Sequence, residues 1–304
     1  MNMFTRRRFL KTGAAVTISG PYFTGRVFAE GDADIGVAKG TDIEAAVRSA
    51  VASIGGMEKF VKKGSRVAIK PNLSFASPPE RAATTNPETL RAVMKLCLEA
   101  GAQQVLVMDH PLQDAEIIGT EADVAKVVKS MDKSMFLMLS TENLYEEKVI
   151  PAAKVMKSTK TATILKEIDT LINLPVAKHH SACFVSLGIK GNLGLVWDRQ
   201  VYHTSADFNQ AVADLSTIIK PDLTIVDAIR ALTTRGPQGP GKVADLGTIV
   251  AGTDPVAVDS YAVELTPWMN RKAKGRNIQH LIDASEMGVG VLDPHTLNIV
   301  EKAV

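Results

Sequence analysis

Four short apolar runs, each emptying into charged or amide residues, constrain this chain more than any other feature. They are Arg66-Val-Ala-Ile-Lys70, Gln104-Val-Leu-Val-Met108, Thr170-Leu-Ile-Asn-Leu174 and Asp222-Leu-Thr-Ile-Val226. Runs this short suit buried strands better than helices. Their apolar character is continuous rather than alternating, so both faces of the sheet need cover. Helical segments between them supply that cover, which predicts an α/β fold: a mostly parallel or mixed central sheet with flanking helices. In such sheets ligands bind outside the carboxyl ends of the strands, where this chain places Lys70-Pro71-Asn72, Asp109-His110, Pro175 to His180 and Asp227.

The helix signals are local. Asp42 to Ile54 is amphipathic, and Asn86-Pro87-Glu88 combines a capping amide, a first-turn proline and an early acid. That helix ends at Ala100-Gly101, completing a βαβ unit with the strand at Gln104. A helix over Glu121–Ser130 and a strand over Met135–Leu139 follow. Val149–Val155 and Ala162–Ile168 read as peripheral strands or a short helix, and Asp207–Ile219 as a helix. The segment Pro175-Val-Ala-Lys-His-His180 reads as a loop. Leu246–Val250 is a strand, Asp254-Pro255 starts a helix over Val256–Leu265, and Asn277–Ser285 is a further helix before a closing strand at Leu297–Val300.

The amino-terminal residues read as an export address. Thr5-Arg6-Arg7-Arg8-Phe9-Leu10-Lys11 is similar to a twin-arginine signal, an apolar run follows, and Val27-Phe28-Ala29 suits a signal peptidase. The expectation is a signal peptide over 1–29, a mature start at Glu30, and one α/β domain over 30–304, with room for two closely packed lobes. Residues 1–29 carry five basic residues and no acid, so Lys+Arg falls from 35 to 30 against 33 Asp+Glu and the net charge from +2 to −3. The expected location is the periplasm. A nucleic-acid partner is excluded by the lack of a basic stripe, and no later apolar run suggests a membrane span. Two cysteines make no disulfide scaffold, although an oxidising compartment permits Cys97 and Cys183 to pair. Cys97 shares a helical face with Leu90, Val93 and Met94, which makes it a core residue.

Chemistry-bearing residues gather at strand ends. Lys70, Lys178 and Lys190 can neutralise a carboxylate, a phosphate or an anionic cofactor, helped by Asn72, Asn192 and Arg235. Lys178, His180, His203 and Asp227 are the candidates for proton transfer. His179 and His180 diverge if the backbone is extended, so at most one lines a pocket. Lys190-Gly-Asn-Leu-Gly194 reads as a loop whose small residues let backbone approach a ligand. His280 and His295 read as structural or solvent-facing. No metal ligand set is evident, since closely spaced cysteine pairs and His-Glu-x-x-His are absent, as are Gly-x-Ser-x-Gly and both nucleotide-binding glycine motifs.

Four ordered segments resemble a known family. Leu171 to His180, Leu187-Gly-Ile-Lys-Gly-Asn-Leu-Gly194, Pro221 to Asp227, and Ala251-Gly-Thr-Asp-Pro-Val-Ala-Val-Asp259, with Lys70-Pro-Asn72, are similar to domain-of-unknown-function family 362 over roughly residues 64–265. The resemblance aligns the family's Lys/His segment with Lys178-His179-His180, its Lys-Asn helix start with Lys190-Gly191-Asn192, and its aspartates with Asp254 and Asp259. It implies association with an iron–sulfur cluster through a ferredoxin-like redox partner, because the two cysteines here provide no cluster motif. Three functions remain open: a periplasmic enzyme or redox-accessory protein binding an anionic substrate or cofactor, a non-catalytic binding or assembly protein, and a metal-assisted hydrolase using Asp109, Asp227, Asp254 or Asp259 with histidine.

Overall fold

The computed structural model describes residues 32–304 apart from 115 and 119–121; the expected export segment, residues 1–29, lies outside the described residues. The apolar runs become strands β2 (Arg66–Pro71), β3 (Gln104–Asp109), β7 (Thr170–Leu174) and the first half of β10 (Leu223–Leu232). They lie in a ten-stranded sheet with β1 (Ile35–Lys39), β4 (Ser134–Met138), β8 (Val176–His180), β9 (Phe184–Ser186), β11 (Val243–Gly252) and β12 (Ile299–Ala303). The main path runs β12-β1-β11-β10-β7-β2-β3-β4. Only β11 opposes its neighbours along that path, while the other pairings are parallel. The mixed, mostly parallel sheet expected from the sequence is therefore present.

Side chains alternate across the sheet as a period of two requires. Val67 and Ile69, Val105 and Val107, and Ile172 and Leu174 face one apolar cluster. Ala68, Leu106 and Met108, and Leu171 face the other. The first layer holds α1 (Ile43–Ser53), α2 (Pro87–Glu99) and α3 (Val124–Lys129). Asp42 caps α1 by accepting the Ala45 N–H at 3.0 Å, and Asn86 caps α2 through Glu88 N–H at 3.0 Å. Leu90, Val93, Met94 and Cys97 form the buried stripe of α2, each large apolar chain contributing roughly 1.5–3 kcal/mol.

The opposite layer contains α4 (Gly188–Gly191), α5 (Arg199–His203), α6 (Phe208–Ser216), α7 (Pro255–Glu264) and α8 (Gln279–Glu286). A separate hairpin joins β5 (Tyr145–Val149) to β6 (Ser158–Ala162). Residues 150–155 are its connection rather than a strand, and Thr163–Lys166 is a 3₁₀ turn. Asp214, fully buried on α6, pins that connection by accepting N–H bonds from Lys154, Val155 and Met156 at 2.7–3.0 Å. Residues 32–304 form one compact unit, and among the described residues no helix is long and apolar enough to cross a membrane.

Candidate functional site: a cationic cluster at the sheet's carboxyl edge

Lys70 is the last residue but one of β2 and pairs in register with Asn173 of β7. Ile69 faces the first layer, so alternation turns Lys70 and Asn173 toward the second. The Lys70 ammonium lies 3.1 Å from Asp109 Oδ1 and donates to Pro71 O at 2.7 Å. Asp109 also accepts the Leu73 N–H at 2.6 Å and the His110 N–H at 2.9 Å. Both side chains are essentially out of water. Burial pulls the Lys70 ammonium below the usual lysine range, with Asp109 opposing the shift.

Gly194 seals this ion pair. A Cβ there would stand 1.9 Å from Asp109 Oδ1 and 2.7 Å from Lys70 Nζ. The small residues of 190–194 thus let backbone approach an internal ion pair. The segment is not the loop that its glycines suggest: α4 covers 188–191, and a 3₁₀ turn continues over Asn192–Leu195. Asp259 holds the start of α4 by accepting N–H bonds from Gly188 at 2.9 Å and Ile189 at 2.8 Å. Asn192 is buried, and its Oδ1 accepts from Asn173 Nδ2 at 3.1 Å. Its own Nδ2 has no partner among the described residues.

Residues 176–180, expected as a loop, form β8, which pairs parallel with the outer half of β10 and antiparallel with β9. The extended backbone sends the two histidines apart. His179 Nδ1 accepts the Gly236 N–H at 3.0 Å, whereas His180 stacks at 6.2 Å from His203 and 6.5 Å from Phe208. His180 Nδ1 accepts the Ala182 N–H at 3.1 Å, which leaves its proton on Nε2 in the neutral ring. Burial, then the charges of Lys190 and Lys178, hold it far below the usual histidine range. The Lys178 ammonium donates to Asn72 Oδ1 at 2.9 Å and Ala83 O at 2.6 Å, and lies 5.1 Å from the centre of the Phe75 ring. Burial, reinforced by Lys190 and Lys70, lowers its pKa strongly.

Lys190 is different. It is partly exposed, and its ammonium has no hydrogen-bond or ion-pair partner among the described residues. Desolvation by burial, together with Arg199 and Lys70, pulls its pKa down to about 8; Cys183 and Asp109 oppose this. Arg199 was not singled out from the sequence. It is buried, donates to Pro111 O at 2.9 Å, and has no carboxylate within ion-pair distance among the described residues. Its charge depresses His110 and His203 as well as the two lysines. His110 stacks on Trp197 at 5.3 Å, and its Nδ1 is 2.9 Å from Val196 O. A carbonyl can only accept, so the ring proton sits on Nδ1 and Nε2 keeps its lone pair. The cluster therefore gathers Lys70, Lys178, Lys190 and Arg199 around one carboxylate, and reaches solvent at Lys190, His110 and His203.

Two expected site residues stand apart. Asp227 lies within β10 rather than at its end, and its neighbours Val226 and Ala228 both face the second layer. Asp227 consequently faces the first, where it accepts the Asn86 N–H at 2.6 Å and the Ile229 N–H at 3.2 Å. It anchors the entry to α2 and is not placed to move a proton among the lysines; burial raises its pKa to about 6. Arg235 is exposed, in a left-handed conformation (φ 54°), and its guanidinium makes no hydrogen bond or ion pair among the described residues.

The aspartates offered as metal ligands are likewise occupied by backbone. Asp254 caps α7 through Ala257 N–H at 2.9 Å and also accepts the Val291 N–H at 2.8 Å. No group of three His, Cys, Asp or Glu side chains is placed to share a metal ion among the described residues. Cys97 and Cys183 are both buried and free, so the permitted pairing is not formed. His280 is buried within α8, and His295 is exposed beside Glu264 at 3.2 Å. Surface hollows of about 230, 320 and 390 Å³ lie elsewhere and are lined by none of the cluster's residues.

Comparison with known proteins agrees with the sequence motifs. A thylakoid-associated protein of Synechocystis (sll1697) is 27% identical over 228 residues, covering 73% of this chain and 69% of that protein. The apoprotein structure of lactate racemase from Thermoanaerobacterium thermosaccharolyticum aligns with a TM-score of 0.46 and 11% identity, over 74% of this chain. This chain spans about half of that structure, 54% of its length. The family model described as Domain of unknown function (DUF362) matches residues 67–264, a span that contains Lys70, Asp109, Lys178, Lys190 and Arg199, and the chain belongs to that family.

Proposed function

We propose that the cationic cluster binds a small anionic substrate or cofactor, and that the protein acts on it as a periplasmic enzyme or redox-accessory protein. The carrying observation is the unmatched charge of Lys190 and Arg199 beside a Lys70–Asp109 pair already complete. An anion entering between them gains charge-assisted hydrogen bonds in surroundings of low dielectric. The free Nδ2 of Asn192 is a further donor. His110, with a lone pair on Nε2, is suited to accept a proton; His180, neutral with its proton on Nε2, is suited to donate a hydrogen bond. The hydrolase alternative loses its ligands, because Asp109, Asp227, Asp254 and Asp259 are each held by backbone N–H groups.

Titration calorimetry with inorganic phosphate and with a small carboxylate such as oxalate tests this reading. Lys190→Ala and Arg199→Ala should each weaken binding by about tenfold or more, the loss of one charge-assisted bond. Equal binding by wild type and both variants refutes it. The proposed export by the twin-arginine route rests on Thr5–Lys11 and Val27–Ala29. Expression in a bacterial host should yield a periplasmic chain starting at Glu30, and Arg6→Lys with Arg7→Lys should hold it in the cytoplasm. The ferredoxin-like redox partner is supported by the family resemblance alone, and co-purification from the native compartment tests it.

A further inference from the structure

Three lysines enter the cluster, and two of them are spent on structure. Lys70 is held by Asp109 and Pro71 O, and Lys178 by Asn72 and Ala83 O beneath the Phe75 ring. Lys190 has no acceptor among the described residues, reaches solvent, and rides on a helix whose first two N–H groups are clamped by Asp259. An amine is nucleophilic only without its proton, and neighbouring cations favour that form. Lys190 faces Lys70, Lys178 and Arg199, with Asp109 and the Cys183 thiol as the opposing groups; His180, His203 and His280 beside it are all depressed toward the neutral ring. Arg199, near enough for its charge to act on Lys190 and with no carboxylate at ion-pair distance among the described residues, offers a counter-charge to an anion that approaches the amine.

Resting on the anion-binding reading above, we propose that Lys190 is a nucleophile that condenses with the carbonyl of an anionic aldehyde or 2-oxo acid to form an imine. The amine lone pair forms the N–C bond while the carbonyl π bond breaks and its oxygen takes a proton, giving a carbinolamine. Of the two protons on the nitrogen, one leaves as the carbinolamine forms and the other as the C–O bond breaks; the oxygen takes up two and departs as water, so no net proton is drawn from the protein. The balance is amine plus carbonyl to imine plus water, with no oxidant or reductant. His203, exposed and stacked 4.7 Å from Phe208 with no ring hydrogen bond among the described residues, is placed to take the nitrogen's proton and, as imidazolium, to pass it to the departing oxygen, to which neutral His180 can offer an Nε2–H hydrogen bond.

The test uses the full chain, glyoxylate as probe, and sodium cyanoborohydride to trap the imine as a secondary amine, with peptide mass spectrometry locating it. Lys190 should be labelled about tenfold or more faster than any other lysine at neutral pH. Inorganic phosphate should slow the labelling, and the uncharged propanal should label Lys190 about tenfold less. Lys190→Arg, which keeps the charge, should abolish the adduct while retaining the far-ultraviolet dichroism of wild type. Label spread evenly over surface lysines, or an unchanged adduct level in Lys190→Arg, overturns the proposal. Calorimetric binding of glyoxylate without a trapped adduct overturns the imine and leaves the anion site standing. Failure of both phosphate and glyoxylate to bind overturns the two together.

Discussion

Gly194→Ala is the sharpest test of the buried ion pair. Gly194 is not among the residues with positive φ, so alanine meets no backbone strain and its whole cost is steric. The new methyl would stand 1.9 Å from Asp109 Oδ1, where ordinary contact begins near 3.4 Å. The carboxylate or the 192–195 turn must retreat by about 1.5 Å, the difference between those distances. If the pair opens from 3.1 Å to about 4.6 Å, its attraction at an effective dielectric near 20 falls from about 5.4 to about 3.6 kcal/mol. A charged hydrogen bond worth about 1.5–3 kcal/mol is lost as well, so the total is about 3–5 kcal/mol. Urea unfolding at pH 7 measures it. The same substitution in a Lys70→Met, Asp109→Leu background should cost at least about 2 kcal/mol less, because the clash remains but there is no ion pair left for it to open. A loss below about 1 kcal/mol in the wild type, or an equal loss in both backgrounds, refutes the reasoning.

Further expectations follow from the same contacts. Asp214→Ala should destabilise by about 3–5 kcal/mol in denaturant titration, since it strips a buried charge acceptor from three N–H groups at once. Burial raises Asp259 to about 7, above its ordinary 3.8, so the folded state binds the extra proton. Its contribution to stability is full below about pH 4 and declines as pH rises to about 7; Asp259→Asn should flatten that decline in pH-dependent unfolding curves. Lys178 shows the opposite linkage: its folded pKa is lowered, so the unfolded chain binds more protons and stability rises toward the unfolded lysine value of 10.5. Lys178→Met should remove that alkaline rise, as measured by thermal melts between pH 7 and 10.

The fold was legible wherever the signal was local. Asp42, Asn86 and Asp254 each cap a helix within the next three residues, and the apolar runs at 66, 104 and 170 are buried on both faces as their composition demands. Strand β8 was obscured because Pro175, Lys178, His179 and His180 carry little β-propensity; its strandedness comes from pairing with the distant β10 and β9. β1 was missed at the boundary of the expected export segment, although Ile35–Lys39 lies buried between β11 and β12. Among candidate site residues, Lys70 is readable as a polar group near a strand end, and Lys178, Lys190 and Asn192 as polar residues of the segments that follow the strand at 170–174. The exclusion of Asp227 depends on which face of β10 it occupies. The inclusion of Arg199 depends on packing over Pro111, 88 residues away, and neither fact has a local signature.

β10 touches both β7 and β8, its Leu223 and Thr224 pairing with Ile172 and Asn173 near one end and its Asp227 and Leu232 with Val176 and Lys178 further along. One strand thereby measures out the spacing across Pro175, the single residue between β7 and β8. A period of two makes that measure a parity as well as a length. Inserting one residue at Pro175 would exchange the roles of His179 and His180, turning Lys178 away from Asn72. Inserting two would restore the faces and merely advance the strand. Homologous chains that keep this cluster should therefore differ in length at this junction by even numbers, a footprint that an alignment of the family can reveal without any assay.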